Sequence, residues 1–236
     1  PYYSSQNTYA PRYYQRNAIN LTVEAIAKGQ DRLLLVMATG TGKTWTAIYS
    51  AVELMKQRPV LTVICAPYKH LVRQWAEDVV KAMPGAILIM VSSENHNWEQ
   101  QLNDAIVRQR VQPSTQIVVI STITSFNLER FKKILNKSTQ EKLLIVDEAH
   151  RFTNRPIELT SQFRYMLGLS ATPFSGKNTA KGIELMNFFG GQVFNLPIEA
   201  ALDKGFLVKY YYYPIFVNAT PDEEERFRKK SAQIAG

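Results

Sequence analysis

The chain has 236 residues, 45% hydrophobic and 20% charged, with a formal net charge of +8 and a pI near 9.5. A chain of this length can bury about 70% of its unfolded surface and needs no covalent staples, and its single cysteine, Cys65, excludes a disulfide framework and fits a reducing compartment such as the cytoplasm. No apolar stretch approaches the roughly 18 residues of a membrane span, the opening residues are no signal peptide, and the positive balance favours a polyanionic partner, nucleic acid first.

In chain order, residues 1–11 are rich in tyrosine and polar side chains and read as irregular. The lack of an initiator Met leads to the expectation of a piece from a longer chain. Ala18, Ile19, Leu21, Val23 and Ile26 recur at helical spacing up to Gly29. Residues 33–36 form an apolar run of strand length, followed by Gly-rich residues and a helix that should stop near Gln57-Arg58-Pro59. Further apolar runs at 60–65, 86–91, 116–121, 142–146 and 165–169 alternate with helical patterns over 71–79, 97–111 and 126–135. This is the pattern of βα units, so the expected fold is α/β, a parallel sheet with helices on both faces. Beyond Pro173 the chain reads as more irregular, with a short helix at 198–202, a strand-like run at 206–217 containing Tyr210 to Tyr213, and a charged helix at 223–232.

In such a sheet ligands bind at the carboxyl ends of the strands, and the polar residues of interest fall there. After the first strand comes Ala38-Thr39-Gly40-Thr41-Gly42-Lys43-Thr44 and then a helix. Strand, glycine loop, Lys-Thr and helix are the parts of a phosphate-binding loop. Gly40 and Gly42 let the backbone approach phosphate, and Thr39 and Thr41 turn with them. The helix adds its N-terminal dipole. Lys43 is a point charge for the β- and γ-phosphates, and the Thr44 hydroxyl a Mg²⁺ ligand. The general pattern places a glycine where Met37 stands, so Gly-x-Gly-Lys-Thr is the matching part.

The fifth strand ends in Asp147-Glu148-Ala149-His150. Asp147 is placed to hold Mg²⁺, and Glu148 to orient and deprotonate a water attacking the γ-phosphate. The alternative is an acidic strand-to-helix cap serving the backbone.

With these residues the chain resembles the superfamily 2 helicases and translocases. Residues 38–44 resemble their motif I, 147–150 their motif II in its DEAH spelling, and Ser170-Ala171-Thr172 before Pro173 their motif III. Ala66-Pro67 with Leu71 and Gln74 resembles motif Ia, and Gln15 a Q-motif glutamine. Within the superfamily the chain is most similar to the group containing restriction-enzyme motor subunits and repair helicases. The resemblance implies a RecA-like P-loop NTPase lobe over residues 1–217, with 218–236 a helical extension toward a second lobe. It implies ATP and Mg²⁺ as cofactors, Gln15 at the adenine edge, and Arg12 or Tyr14 on the adenine plane, although Tyr14 can equally anchor the core. It further implies that His150, Ser170 and Thr172 couple nucleotide state to nucleic-acid grip.

For nucleic acid, with DNA expected over RNA, the candidates are Pro67, Tyr68, Lys69 and Thr122. Arg73, Arg108, Arg110, Lys132 and Lys133 read mostly as solvated helix faces, and Arg151 and Arg155 as partners of the acidic motif or of another lobe. Tyr210 to Tyr213 read as a base-stacking platform or as a strand. The resemblance places catalytic arginines in the second lobe, so slow turnover is expected of residues 1–236 alone. The rival readings are a restriction-enzyme motor subunit, a nucleic-acid-binding module without ATPase activity, and a small-molecule P-loop kinase.

Overall fold

The computed structural model describes residues 10–152, 160–172, 179–209, 211, 213–215 and 219–235. Seven parallel strands form one sheet: β1 Arg32–Met37, β2 Val60–Ala66, β3 Ile87–Val91, β4 Ile117–Thr122, β5 Glu141–Val146, β6 Tyr165–Ser170 and β7 Gln192–Leu196. Their order across the sheet is β3-β4-β2-β5-β6-β1-β7. The helices that cover it include α1 Tyr13–Ala27, α2 Lys43–Gln57, α3 Lys69–Ala82, α4 Trp98–Val111, α5 Ile123–Phe126 and α6 Glu129–Leu135, followed by helices at Thr179–Phe188, Ile198–Asp203 and Pro221–Ala235.

The apolar runs are continuous because both sheet faces are buried; all seven residues of β2 are inside. Alternate residues divide between two cores. Leu34 and Val36 pack with Phe126, Phe131 and Phe189 on one face, while Leu33 and Leu35 pack with Ala47, Ile48, Val72 and Trp75 on the other. Parallel register aligns the strand ends: Ala66 lies opposite Thr122, Cys65 opposite Val146, and Val36 opposite Ser170. The loop after β1, the acidic residues after β5 and Ser170 therefore meet at adjacent strand ends, with β6 between β5 and β1.

The structure departs from the sequence expectations in three places. β7 and the helix Thr179–Phe188 occupy a region expected to be irregular. The single helix expected across 126–135 is two, divided where the Asn127 side chain donates to the Ile123 carbonyl (3.1 Å). The strand expected at 206–217 does not form among the described residues: Tyr211 and Tyr213 are 82% and 81% exposed and pair with no ladder. An extended segment without a neighbour to satisfy its backbone gains nothing from being a strand. Tyr210, Tyr212 and Val217 lie outside the described residues, as do Arg155 and Pro173.

Candidate functional site

The loop after β1 is shaped by two left-handed glycines, Gly40 (φ +83°) and Gly42 (φ +82°). Gly42 is the N-cap of α2, so the helix begins at Lys43 with its first N–H groups at the loop. A Cβ on Gly42 would lie 2.4 Å from Gln15 Nε2. The loop is braced internally: Thr41 Oγ1 donates to the Ala38 carbonyl (2.6 Å) and Thr46 Oγ1 to the Gly42 carbonyl (3.0 Å). It is also braced from α1, where Tyr14 Oη donates to the Thr41 carbonyl (3.0 Å) and Gln15 Nε2 to the Gly42 carbonyl (3.3 Å). Thr39 and Gly40 are exposed, and Lys43 and Thr44 half-buried.

Burial pulls the Lys43 pKa below its ordinary value, and the carboxylates of Glu148 and then Asp147 pull it back up. The ammonium and the acidic pair thus share one electrostatic neighbourhood. Asp147 is buried and held by three bonds. Its N–H donates to the Cys65 carbonyl (2.9 Å), Oδ2 accepts the Trp75 indole N–H (3.0 Å), and Oδ1 accepts the Glu148 N–H (3.0 Å). Glu148 is the sole described non-glycine residue at positive φ (47°), a conformation that costs about 1–2 kcal/mol. The turn Ala149–Arg151 follows it.

His150 Nδ1 lies 3.4 Å from Glu148 Oε2 without making a hydrogen bond. Ser170 is fully buried, and its Oγ has no hydrogen-bond partner among the described residues; Thr172 is exposed just past it. The resemblance implies that His150 meets Ser170 or a second lobe; the geometry brings it to Glu148 instead, with no His150–Ser170 bond among the described residues.

A cavity of about 310 Å³ adjoins the loop, lined among others by Arg12, Tyr14, Gln15, Gly42, Trp45 and Tyr49. Tyr14 stacks on Phe206 (centroids 4.3 Å apart) and is only 4% exposed, so its ring is packed as a strut. Of the two candidates for the adenine plane, Arg12 is the exposed one. Gln15 Oε1 accepts the Arg12 N–H (2.8 Å) while its amide nitrogen holds the loop. Trp45 and Tyr49 passed unnoticed in the sequence because their spacing is that of ordinary helix positions.

At the other half of the edge, Pro67, Tyr68, Lys69 and Thr122 all line one cavity of about 330 Å³, with Ser92, Ser93 and Ser125. Lys69 Nζ donates to Ser93 Oγ (2.8 Å), and Thr122 Oγ1 accepts the Ser125 N–H (3.1 Å), capping α5. Arg73 pairs with Glu94 (2.8 Å) on the exposed surface. In the sequence Trp75 reads only as one apolar position of α3. The available signal was an indole N–H inside an apolar stripe, which needs a partner once buried.

The donor set can be tested against Mg²⁺. Among the described residues no cluster of three or more His, Cys, Asp or Glu could enclose a metal. Thr44 lies in the first turn of α2 and Asp147 just after β5, and each Asp147 oxygen spends one lone-pair site on its hydrogen bond. This fits Mg²⁺, which takes one or two protein ligands and fills the rest with waters and phosphate oxygens.

Residues 8–175 match the family described as type III restriction enzyme, res subunit. The chain is 27% identical over 215 residues to a type I restriction enzyme EcoAI endonuclease subunit of Escherichia coli, covering 89% of this chain and 24% of that subunit. It is 30% identical over 201 residues to a putative helicase 109L of Invertebrate iridescent virus 3, covering 84% of this chain and 53% of that protein. The fold matches that of an ATP-dependent type ISP restriction-modification enzyme LlaBIII bound to DNA, with a TM-score of 0.66 at 20% identity, over 86% of this chain and 16% of the other. The chain therefore spans about a quarter and about half of the lengths of those two curated relatives. No described helix is long and apolar enough to cross a membrane.

Proposed function

The chain belongs to the type III restriction enzyme res subunit family, and from that premise we propose that it is the first RecA-like motor lobe of an ATP-driven nucleic-acid helicase or translocase. The observation that carries the reading is the Lys43 ammonium lying within the field of Glu148 and Asp147, at the ends of strands separated only by β6. The residues take these roles. The N–H groups of 39–44 and the Lys43 ammonium bind the β- and γ-phosphates. Arg12 lies on the adenine plane, Gln15 reads its edge, and Tyr14 supports the loop from beneath. Thr44 and Asp147 hold Mg²⁺, which supplies positive charge to the phosphate oxygens. Glu148 accepts the proton of the attacking water. Ser170, Thr172 and His150 couple the two halves.

The nucleic acid lies across Pro67, Tyr68, Lys69 and Thr122. DNA is the expected strand, which is supported by the DNA named for the matching type ISP enzyme. Residues 1–217 make the lobe and 218–236 a helical extension toward a second lobe. A single, buried cysteine, Cys65, suits a reducing, cytoplasmic setting. Assembled Lys43, Asp147 and Glu148 have no use in a module without ATPase chemistry.

The test is ATPase of the full-length protein with single-stranded DNA, duplex DNA or RNA. Wild type is expected to be stimulated by DNA, and Glu148→Gln to lose about 10²–10⁴-fold in kcat while still binding ATP. The lobe alone is expected to turn over slowly. A Glu148→Gln protein as fast as wild type, or fast stimulated hydrolysis by residues 1–236, contradicts these assignments.

A further inference from the structure

Helix α3 touches both halves of the edge. Its N-cap, Tyr68, lines the cavity with Lys69 and Thr122. About two turns on, on the same side of the helix, buried Trp75 donates its indole N–H to Asp147 Oδ2 (3.0 Å). A second tie returns from the acidic residues. Arg151, at the end of the turn after Glu148, sets its guanidinium 5.1 Å from the centre of the Tyr68 ring and donates to the phenolic oxygen. Tyr68 also stacks on His70, at 5.6 Å and 11°.

These contacts close a ring: Tyr68, α3, Trp75, Asp147, Glu148, Arg151 and back to Tyr68. Within it sits Glu148 in left-handed backbone. Such a conformation persists only where its surroundings over-determine it, and the ring supplies that constraint. Moving Tyr68 displaces Arg151 on one side of Glu148 and, through α3, the indole that fixes Asp147 on the other.

We propose that α3 links the two halves of the site, so that a strand seated at Tyr68 sets the position of Asp147 and Glu148, with Trp75 and Arg151 as positioning residues. The proposal rests on the reading of the site as nucleotide plus nucleic acid. Arg151 is matched to this task by its planar fork, which both stacks on an aromatic ring and donates to its hydroxyl; a lysine keeps the charge and loses that geometry.

The experiment measures binding rather than turnover. The affinity of the full-length protein for a fluorescent ATP analogue with Mg²⁺ is titrated with and without a single-stranded DNA oligonucleotide. The variants are wild type, Arg151→Lys, Trp75→Phe and Tyr68→Phe. Wild type is expected to bind the nucleotide at least about fivefold more tightly with DNA, and DNA more tightly with nucleotide by the same factor. Arg151→Lys, on the exposed surface, is expected to keep its affinity for each ligand alone and lose the coupling. Trp75→Phe loses the coupling and needs more Mg²⁺ for half-saturation, and Tyr68→Phe shows an intermediate loss. Wild-type coupling retained in Arg151→Lys and Trp75→Phe overturns the link and leaves the functional reading intact. Binding of both ligands by wild type without coupling overturns the link alone. Failure of wild type to bind either ligand overturns the functional reading and the link with it.

Discussion

The carboxyl edge of the sheet has two halves built on different principles. At β5, β6 and β1 the functional groups are fixed by buried or partly buried bonds, Asp147 by three and the glycine loop by four, with Ser170 fully enclosed beside them. At β2, β4 and β3 Thr122 is buried, but Tyr68 and the charged groups are exposed and meet partners in solvent, as in Lys69 with Ser93 and Arg73 with Glu94. On the proposed reading the first half is a preorganised anion and metal site, in which a charge acts with little screening, and the second a rim on which a backbone can slide, where each contact is worth little and salt-sensitive. A motor lobe needs both, a rigid grip on triphosphate and a weak, renewable grip on a strand.

Substitutions should expose that contrast most at Lys43. Lys43→Ala is expected to weaken nucleotide binding by about 2–5 kcal/mol, since it removes one partner of a desolvated charge cluster. Isothermal titration with ATP checks this, and a loss no larger than that of a rim lysine erases the distinction. Gly42→Ala comes next. The left-handed φ costs about 1–2 kcal/mol, and the new Cβ displaces Gln15 from the loop, so thermal unfolding should occur about 3–6 °C lower with weaker ATP binding.

A third effect concerns protons. Burial lowers the Lys43 pKa, so between that lowered value and the ordinary lysine value the unfolded chain holds more protons than the folded one. The penalty of burying the ammonium is therefore full at lower pH and is relieved as pH rises through this window. Bound triphosphate acts in the opposite direction, raising the pKa. Nucleotide binding should take up protons in that window and weaken by at most about tenfold per pH unit, as read by calorimetry in buffers of different ionisation enthalpy. Lys43→Met should abolish the uptake. The smallest effect belongs to the rim. Lys69→Ala should weaken DNA binding by about 1 kcal/mol or less and lower the salt slope by about one. A larger loss that persists at high salt would place Lys69 in a preorganised site like that of Lys43.

The same contrast governs what could be read from the sequence. The glycine loop and the Asp147-Glu148 pair are local, their residues adjacent in the chain, and the strands that carry them are continuous apolar runs. Strand ends could be located because the runs end in polar residues. The cavity at Tyr68 and Thr122 comes from parallel register between β2 and β4, and its assembly has no local signature. Trp75 on Asp147 and Tyr14 on Phe206 join residues distant in the chain; an apolar stripe announces burial and leaves the partner unspecified. β7 escaped because its alternating polar and half-buried residues, lying at the sheet's margin, lack the unbroken apolar run of the central strands. The Tyr-rich stretch has strand-like composition, and composition cannot supply the neighbour that a strand needs.

The central claim is that Lys43 and the Asp147-Glu148 pair grip one triphosphate from two sides. The most direct measurement is the structure of the full-length protein with Mg²⁺ and a non-hydrolysable ATP analogue. The account predicts the γ-phosphate between Lys43 Nζ and Glu148, the metal on the side of Thr44 and Asp147, and the base beside Arg12. A nucleotide bound away from the 38–44 loop, or one whose phosphates touch Lys43 while Asp147 and Glu148 face elsewhere, contradicts it.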